Sequence, residues 1–203
     1  MKKLIIIIIS LIFTVPVFFI QPSGAAVLTD INGTYIDLGD EGSVYGAGLS
    51  FLWDMPRYFD NERIFFYINS TFAYSVEDKD EITETVRTYV PVSAGIEYRY
   101  QILQIPLYIT GSAGAGASYF EKQGPAHYGP YIDPSKTQID TAYGAYADLM
   151  LGVNYVLSGN TAFFSRIGYQ ISFYDEDNIE SPAGFQCNLG FRIPISGSLR
   201  SLD

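Results

Sequence analysis

The stretch Tyr143-Gly144-Ala145-Tyr146-Ala147-Asp148-Leu149-Met150-Leu151-Gly152-Val153-Asn154-Tyr155 decides the fold. Read every second residue, it separates into an apolar set (Tyr143, Ala145, Ala147, Leu149, Leu151, Val153, Tyr155) and a mixed set (Gly144, Tyr146, Asp148, Met150, Gly152, Asn154). A β-strand sends successive side chains to opposite faces, so it keeps these sets apart, whereas a helix, at 3.6 residues per turn, would scramble them. The stretch is therefore a strand with one uniformly apolar face. Its twelve steps span roughly 40 Å, which is long for a strand in a water-soluble domain.

The same period of two recurs on both sides of this stretch. Phe185, Cys187, Leu189, Phe191 and Ile193 oppose Gly184, Gln186, Asn188, Gly190 and Arg192. Phe163, Ile167, Tyr169, Ile171 and Phe173 oppose Arg166, Gly168, Gln170 and Ser172, and Thr88, Val90, Val92, Ala94, Ile96 and Tyr98 oppose Arg87, Tyr89, Ser93, Gly95, Glu97 and Arg99. Tyr45, Ala47, Leu49, Phe51 and Trp53 oppose Gly46, Gly48 and Ser50. Eight strands are expected, over 28–38, 44–53, 63–76, 85–100, 105–120, 137–157, 161–174 and 183–195. The first is the weakest. Pro91 and Pro106 fall inside two of these spans and each removes a ladder donor, which predicts local bulges.

An even number of amphipathic strands predicts an all-β, antiparallel, up-and-down barrel, and the composition of the mixed face says which side is wet. That face is rich in Gly, Ser and Asn with a few isolated charges, which suits a cramped interior better than a solvated exterior. The apolar face therefore points outward, as in a transmembrane barrel. Aromatic residues fall toward the ends of that face, where interfacial belts are expected: Tyr45, Tyr74, Tyr119 and Tyr143 at one end, Trp53, Tyr98 and Tyr155 at the other.

Residues 1–26 read as a secretory signal peptide, with Lys2 and Lys3, an apolar run from Leu4 to Ile20, and small residues Gly24 and Ala26 before an expected cleavage after Ala26. Residues 27–203 are then the barrel, a single domain. Loss of the two lysines takes the formal charge from −10 to −12 and argues against nucleic acid as a partner. Outer-membrane lipid is the expected surrounding, and a monomer the expected state. The single cysteine, Cys187, forms no internal disulfide.

The pattern resembles the small eight-stranded outer-membrane barrels of the OmpX, OmpA-barrel and OmpW kind. The most specific element is the last strand, where Asn188, Gly190, Ile193 and Ile195 look like the signal read by the barrel insertion machinery. The chain departs from that family by running on through Ser196 to Asp203, where an aromatic end is usual. The resemblance implies localisation in a bacterial outer membrane and a structural or surface-interaction role, with an OmpW-like conduit for small hydrophobic molecules as the alternative.

Inside an eight-stranded barrel the chain's own side chains fill the space. Phe65, Tyr67, Tyr89, Tyr108, Tyr146, Met150 and Phe164 point inward by parity and should block the lumen. The inward charges Arg63, Arg87, Glu97, Arg99, Asp148, Arg166 and Arg192 must be paired in so dry a place, and a network centred on Glu97 and Asp148 is expected. No catalytic, metal or cofactor site is expected. The one histidine, His127, sits in the Pro/Gly-rich stretch 124–130, a poor mount for a general base, so a lipid A acyl-modifying enzyme is disfavoured. The acidic runs at 77–81 and 175–178 lack the EF-hand glycine and distal glutamate, and read as solvated outer loops able to meet a surface ligand, together with the long connection 121–136, with its Tyr128 and Tyr131, and the neighbouring Tyr119.

Overall fold

A computed structural model describes residues 27–55, 62–78, 84–102, 105–128, 131–158, 161–175 and 181–196. They form eight strands: β1 (Val27–Asp37), β2 (Ser43–Asp54), β3 (Glu62–Asp78), β4 (Glu84–Gln101), β5 (Leu107–Tyr128), β6 (Tyr131–Ser158), β7 (Thr161–Tyr174) and β8 (Ala183–Ser196). Each pairs antiparallel with its neighbour in sequence, and β1 pairs with β8, so the sheet closes. The end at which β1 starts and β8 finishes is called the lower end.

Parity decides which side each residue faces. Along β6, Leu149 and Leu151 are 62% and 64% exposed while Met150 between them is 4% exposed. Ile31, Tyr45, Phe72, Ile96, Ile167, Phe185, Leu189 and Phe191 are likewise exposed on the outer surface. The apolar band is far larger than a protein in water displays. Inward, Phe65, Tyr67, Tyr89, Tyr108, Tyr146, Met150 and Phe164 are all buried. The glycines of the mixed face make room for them: a Cβ on Gly95 would lie 2.8 Å from Tyr67 Cζ, and one on Gly168 would lie 2.6 Å from Met150 Sδ.

The strands are strongly staggered. Paired residues lead from Val27 through Trp53, Phe66, Ile96, Ala113, Leu149 and Tyr169 to Phe185 on β8. Phe185 adjoins Gln186, the partner of Ile36 near the far end of β1. One circuit thus climbs almost the whole of β1, because closing a barrel tilts its strands against the axis. Residues that meet across the lumen are consequently offset in register.

Several expectations need correction. β1 is a full strand of 11 residues paired on both sides. Pro91 makes no bulge: the β3–β4 ladder skips from Ser70↔Val92 to Ala73↔Tyr89 in unchanged register, and the gap absorbs the missing donor. Pro106 precedes β5, and its carbonyl accepts from Val156 N at 2.8 Å. β6 ends at Ser158 and β7 begins at Thr161, with a register shift between Val156 and Ser158.

The largest difference concerns the connection at 121–136. β5 runs on to Tyr128 and β6 begins at Tyr131, so the two strands form a ribbon through a register shift at Pro125/Ala126. β4 pairs β5 only up to Val86↔Gln123, and β7 pairs β6 only from Gly144 onward. The ribbon therefore rises past its neighbours. Gly124, Pro125, Gly129 and Pro130 suggest a loop locally, yet two antiparallel strands already in register satisfy each other's backbone groups and so continue.

Candidate functional site

The charged core of the lumen lies in its lower half. Arg192 on β8 is fully buried and reaches two carboxylates at once. Its Nε and Nη2 donate to Asp30 Oδ1 and Oδ2 at 2.6 and 2.7 Å, and its Nη1 and Nη2 donate to Glu97 Oε1 and Oε2 at 2.5 and 2.9 Å. Arg166 on β7 adds Nη2 to Asp30 Oδ2 at 2.8 Å and Nη1 to Glu97 Oε2 at 3.3 Å. Arg99 lies 3.9 Å from Glu97 Oε1, with its guanidinium over the rings of Phe65 (4.7 Å) and Tyr108 (5.3 Å). Arg166 stacks over Phe164 at 4.3 Å. Such bidentate, charge-assisted bonds offset the cost of removing these ions from water.

The centre is not where sequence reasoning placed it. Glu97, Arg99, Arg166 and Arg192 come together, but Asp30 is the second carboxylate, and Asp148 lies apart, accepting from Tyr67 Oη at 3.1 Å. Arg87 also lies elsewhere, at the upper rim, paired with Glu77 at 2.8 Å. Arg63 pairs with Asp54 at 2.7 Å. Asp30 was missed because β1 turns Leu28 and Ile36 inward together with Asp30, Asn32 and Thr34, which blurs its alternation. The available signal was Asp30 in phase with Asn32 and Thr34, opposite Ile31 and Tyr35.

The upper half of the lumen is held by neutral groups. Tyr89 Oη donates to Gln170 Oε1 at 2.5 Å and lies 2.8 Å from Ser172 Oγ, which is 2.8 Å from Ser118 Oγ. Tyr146 donates to Gln186 at 3.2 Å, and Gln186 in turn donates to Asn188 at 3.1 Å. Apolar clusters pack in both halves. Leu28, Leu52, Phe65, Tyr67 and Ala162 pack below; Ile36, Leu38, Val44, Ala73, Tyr89, Phe120, Ala142 and Tyr146 pack above. The β1–β2 turn lies over the upper layer, with Gly42 at φ 86° and Glu41 bonded to Lys122 across the rim at 2.7 Å.

On the outer surface the aromatics form two sets. The rings of Tyr35 and Tyr45 meet at 5.2 Å in a tilted arrangement, Tyr45 pairs with Tyr74, and Tyr119 meets Tyr143 at 5.0 Å, all toward the upper end. Trp53 meets Phe66 at 5.8 Å, Tyr155 pairs with Phe163, and Tyr98 is exposed, all toward the lower end. In β8, Asn188 and Gly190 face inward while Ile193 and Ile195 face outward. His127 is in register with Ile132 on the ribbon. The acidic runs at 77–81 and 175–178 fall largely outside the described residues.

Comparison with solved structures places this architecture among known barrels. The chain is similar to Neisserial surface protein A, with 13% identity over 84% of this chain and 97% of that one, at a TM-score of 0.50. It is also similar to a major outer membrane protein from Thermus thermophilus, with 12% identity over 85% of this chain and 100% of that one, at a TM-score of 0.54. No family model matches the sequence, and no curated protein matches it. At these identities the likeness is one of fold, and the fold it identifies is the closed eight-stranded antiparallel barrel.

Proposed function

We propose that the chain is a bacterial outer-membrane barrel with a structural and surface-interaction role, exported by residues 1–26 and inserted as a monomer. The observation that carries this reading is the pairing of an apolar outer wall with a filled interior, surmounted by the β5–β6 ribbon. An outer wall of Leu, Ile, Val and Phe is stable only against hydrocarbon, and Tyr45, Tyr74, Tyr119 and Tyr143 above with Trp53, Tyr98 and Tyr155 below serve as its interfacial belts. Asn188, Gly190, Ile193 and Ile195 serve the insertion machinery.

A plugged lumen supports a contact role over a conduit, and the reading assigns the barrel no catalytic chemistry. The ribbon and the acidic loops are the parts that would reach a ligand at the cell surface. The test replaces residues 124–138 by a short turn in cells that display the protein. The shortened barrel is expected in the outer-membrane fraction with its heat-modifiable gel mobility intact, while attachment of the cells to host-cell or matrix surfaces falls to the level of cells lacking the protein. Unchanged attachment would refute the surface role, and a full-length protein that stays folded in buffer without detergent would refute the membrane placement.

A further inference from the structure

Arg99 is the least satisfied member of the lower charge cluster. Asp30 and Glu97 face three guanidinium groups, those of Arg99, Arg166 and Arg192, and their strong bonds all go to the last two. Arg63, across the ladder from Arg99, has its own carboxylate in Asp54. Asp148 accepts from Tyr67 and acts on Arg166 rather than on Arg99, whose charged neighbours are Arg192, Glu97 and Asp30. Arg99 is 3% exposed, and its Nε and Nη2 have no hydrogen-bond acceptor.

Directly opposite Arg99 on β5 stands Thr110, 1% exposed, whose hydroxyl also has no partner. Buried donors almost always find acceptors, and an arginine in a protein does not shed its proton to escape the problem. Water could accept one of these bonds, but it would bring donors of its own and leave the Arg99 charge in a poorly solvated place with Glu97, at 3.9 Å, as its ion-pair partner. A species that only accepts, and that carries one negative charge, satisfies both requirements.

We propose that Arg99 and Thr110 form a binding site for one small monovalent anion of the size of a halide. Arg99 lies two residues from the lower end of β4, so the ion enters from the periplasmic mouth and is held between the guanidinium edge and the hydroxyl. It gives Arg99 the close acceptor that Asp30 and Glu97 do not supply.

Bromide is the direct probe, since it replaces chloride and scatters anomalously. Crystals of the refolded barrel grown in bromide are expected to show an anomalous peak within hydrogen-bond distance of Arg99 and Thr110. In detergent micelles, chloride in place of gluconate at equal ionic strength is expected to slow urea unfolding several-fold. That effect should shrink in Thr110→Val, a near-isosteric change that leaves the ion pairs intact, and vanish in Arg99→Gln. Anomalous peaks confined to the protein surface, water alone beside Arg99, or an equal chloride effect in the wild type and Thr110→Val would each overturn the proposal.

Discussion

Replacing Arg192 by Met tests whether the lower cluster holds the barrel together. The side chain is fully buried and supplies four of the six hydrogen bonds that bind Asp30 and Glu97 to arginines. Met matches the length of the stem but leaves two buried carboxylates with only Arg166, at 2.8 and 3.3 Å, and the more distant Arg99. Breaking a buried ion pair from one side costs about 3–5 kcal/mol, because an uncompensated charge remains. At 1.4 kcal/mol per tenfold, that is roughly two to four orders of magnitude in the folding equilibrium. The assay is urea unfolding of the refolded barrel in lipid vesicles, followed by tryptophan fluorescence of Trp53 and by gel mobility without heating. The triple variant Asp30→Asn, Glu97→Gln, Arg192→Met removes the charges together and should recover much of the loss, which separates stranded charge from lost packing. Arg192→Met within about 1 kcal/mol of the wild type would refute the reasoning, since a surface pair behaves that way.

Other parts of the structure make separate predictions. Gly114→Val puts side-chain carbon where Tyr67 Oη lies and within 3.1–3.2 Å of the Asp148 carboxylate, and should cost about 1–3 kcal/mol of unfolding free energy. The adjacent change Ala115→Val, on the exposed outer face, should be nearly neutral in the same urea titration. Leu151→Arg places a charge in the middle of the outer apolar band and should cost about 2–4 kcal/mol in a bilayer, measured by vesicle-based equilibrium unfolding. Tyr89→Phe leaves Gln170 and Ser172 short of a buried partner and should cost about 1–3 kcal/mol. In planar bilayers the purified barrel should show no steady conductance, because large buried side chains such as Phe65, Tyr89, Phe120 and Phe164 occupy the lumen.

The alternation of side chains was legible in the sequence wherever one face is purely apolar, because pleating forces it on every residue regardless of what lies across the sheet. That is why Phe65, Tyr67, Tyr89, Tyr108, Tyr146, Met150 and Phe164 could be assigned to the interior from parity alone. It is also why β1, whose inward row carries Leu28 and Ile36 beside Asp30, concealed a member of the charge cluster. The ribbon was illegible for a different reason. Gly124 and Pro125 are turn formers by local preference, and only the partner strand's hydrogen bonds override them.

By itself, then, the order of residues determined the strand count, the sidedness of each strand and the inward or outward fate of nearly every charge. Tertiary structure alone decided which charges meet. Asp30 follows the ladder to Ser50, Asn69 and Ser93, yet shares Arg192 with Glu97, four residues from Ser93 along β4. The tilt needed to close eight strands slides opposite walls past one another, and that displacement is a property of the closed ring that no single strand encodes.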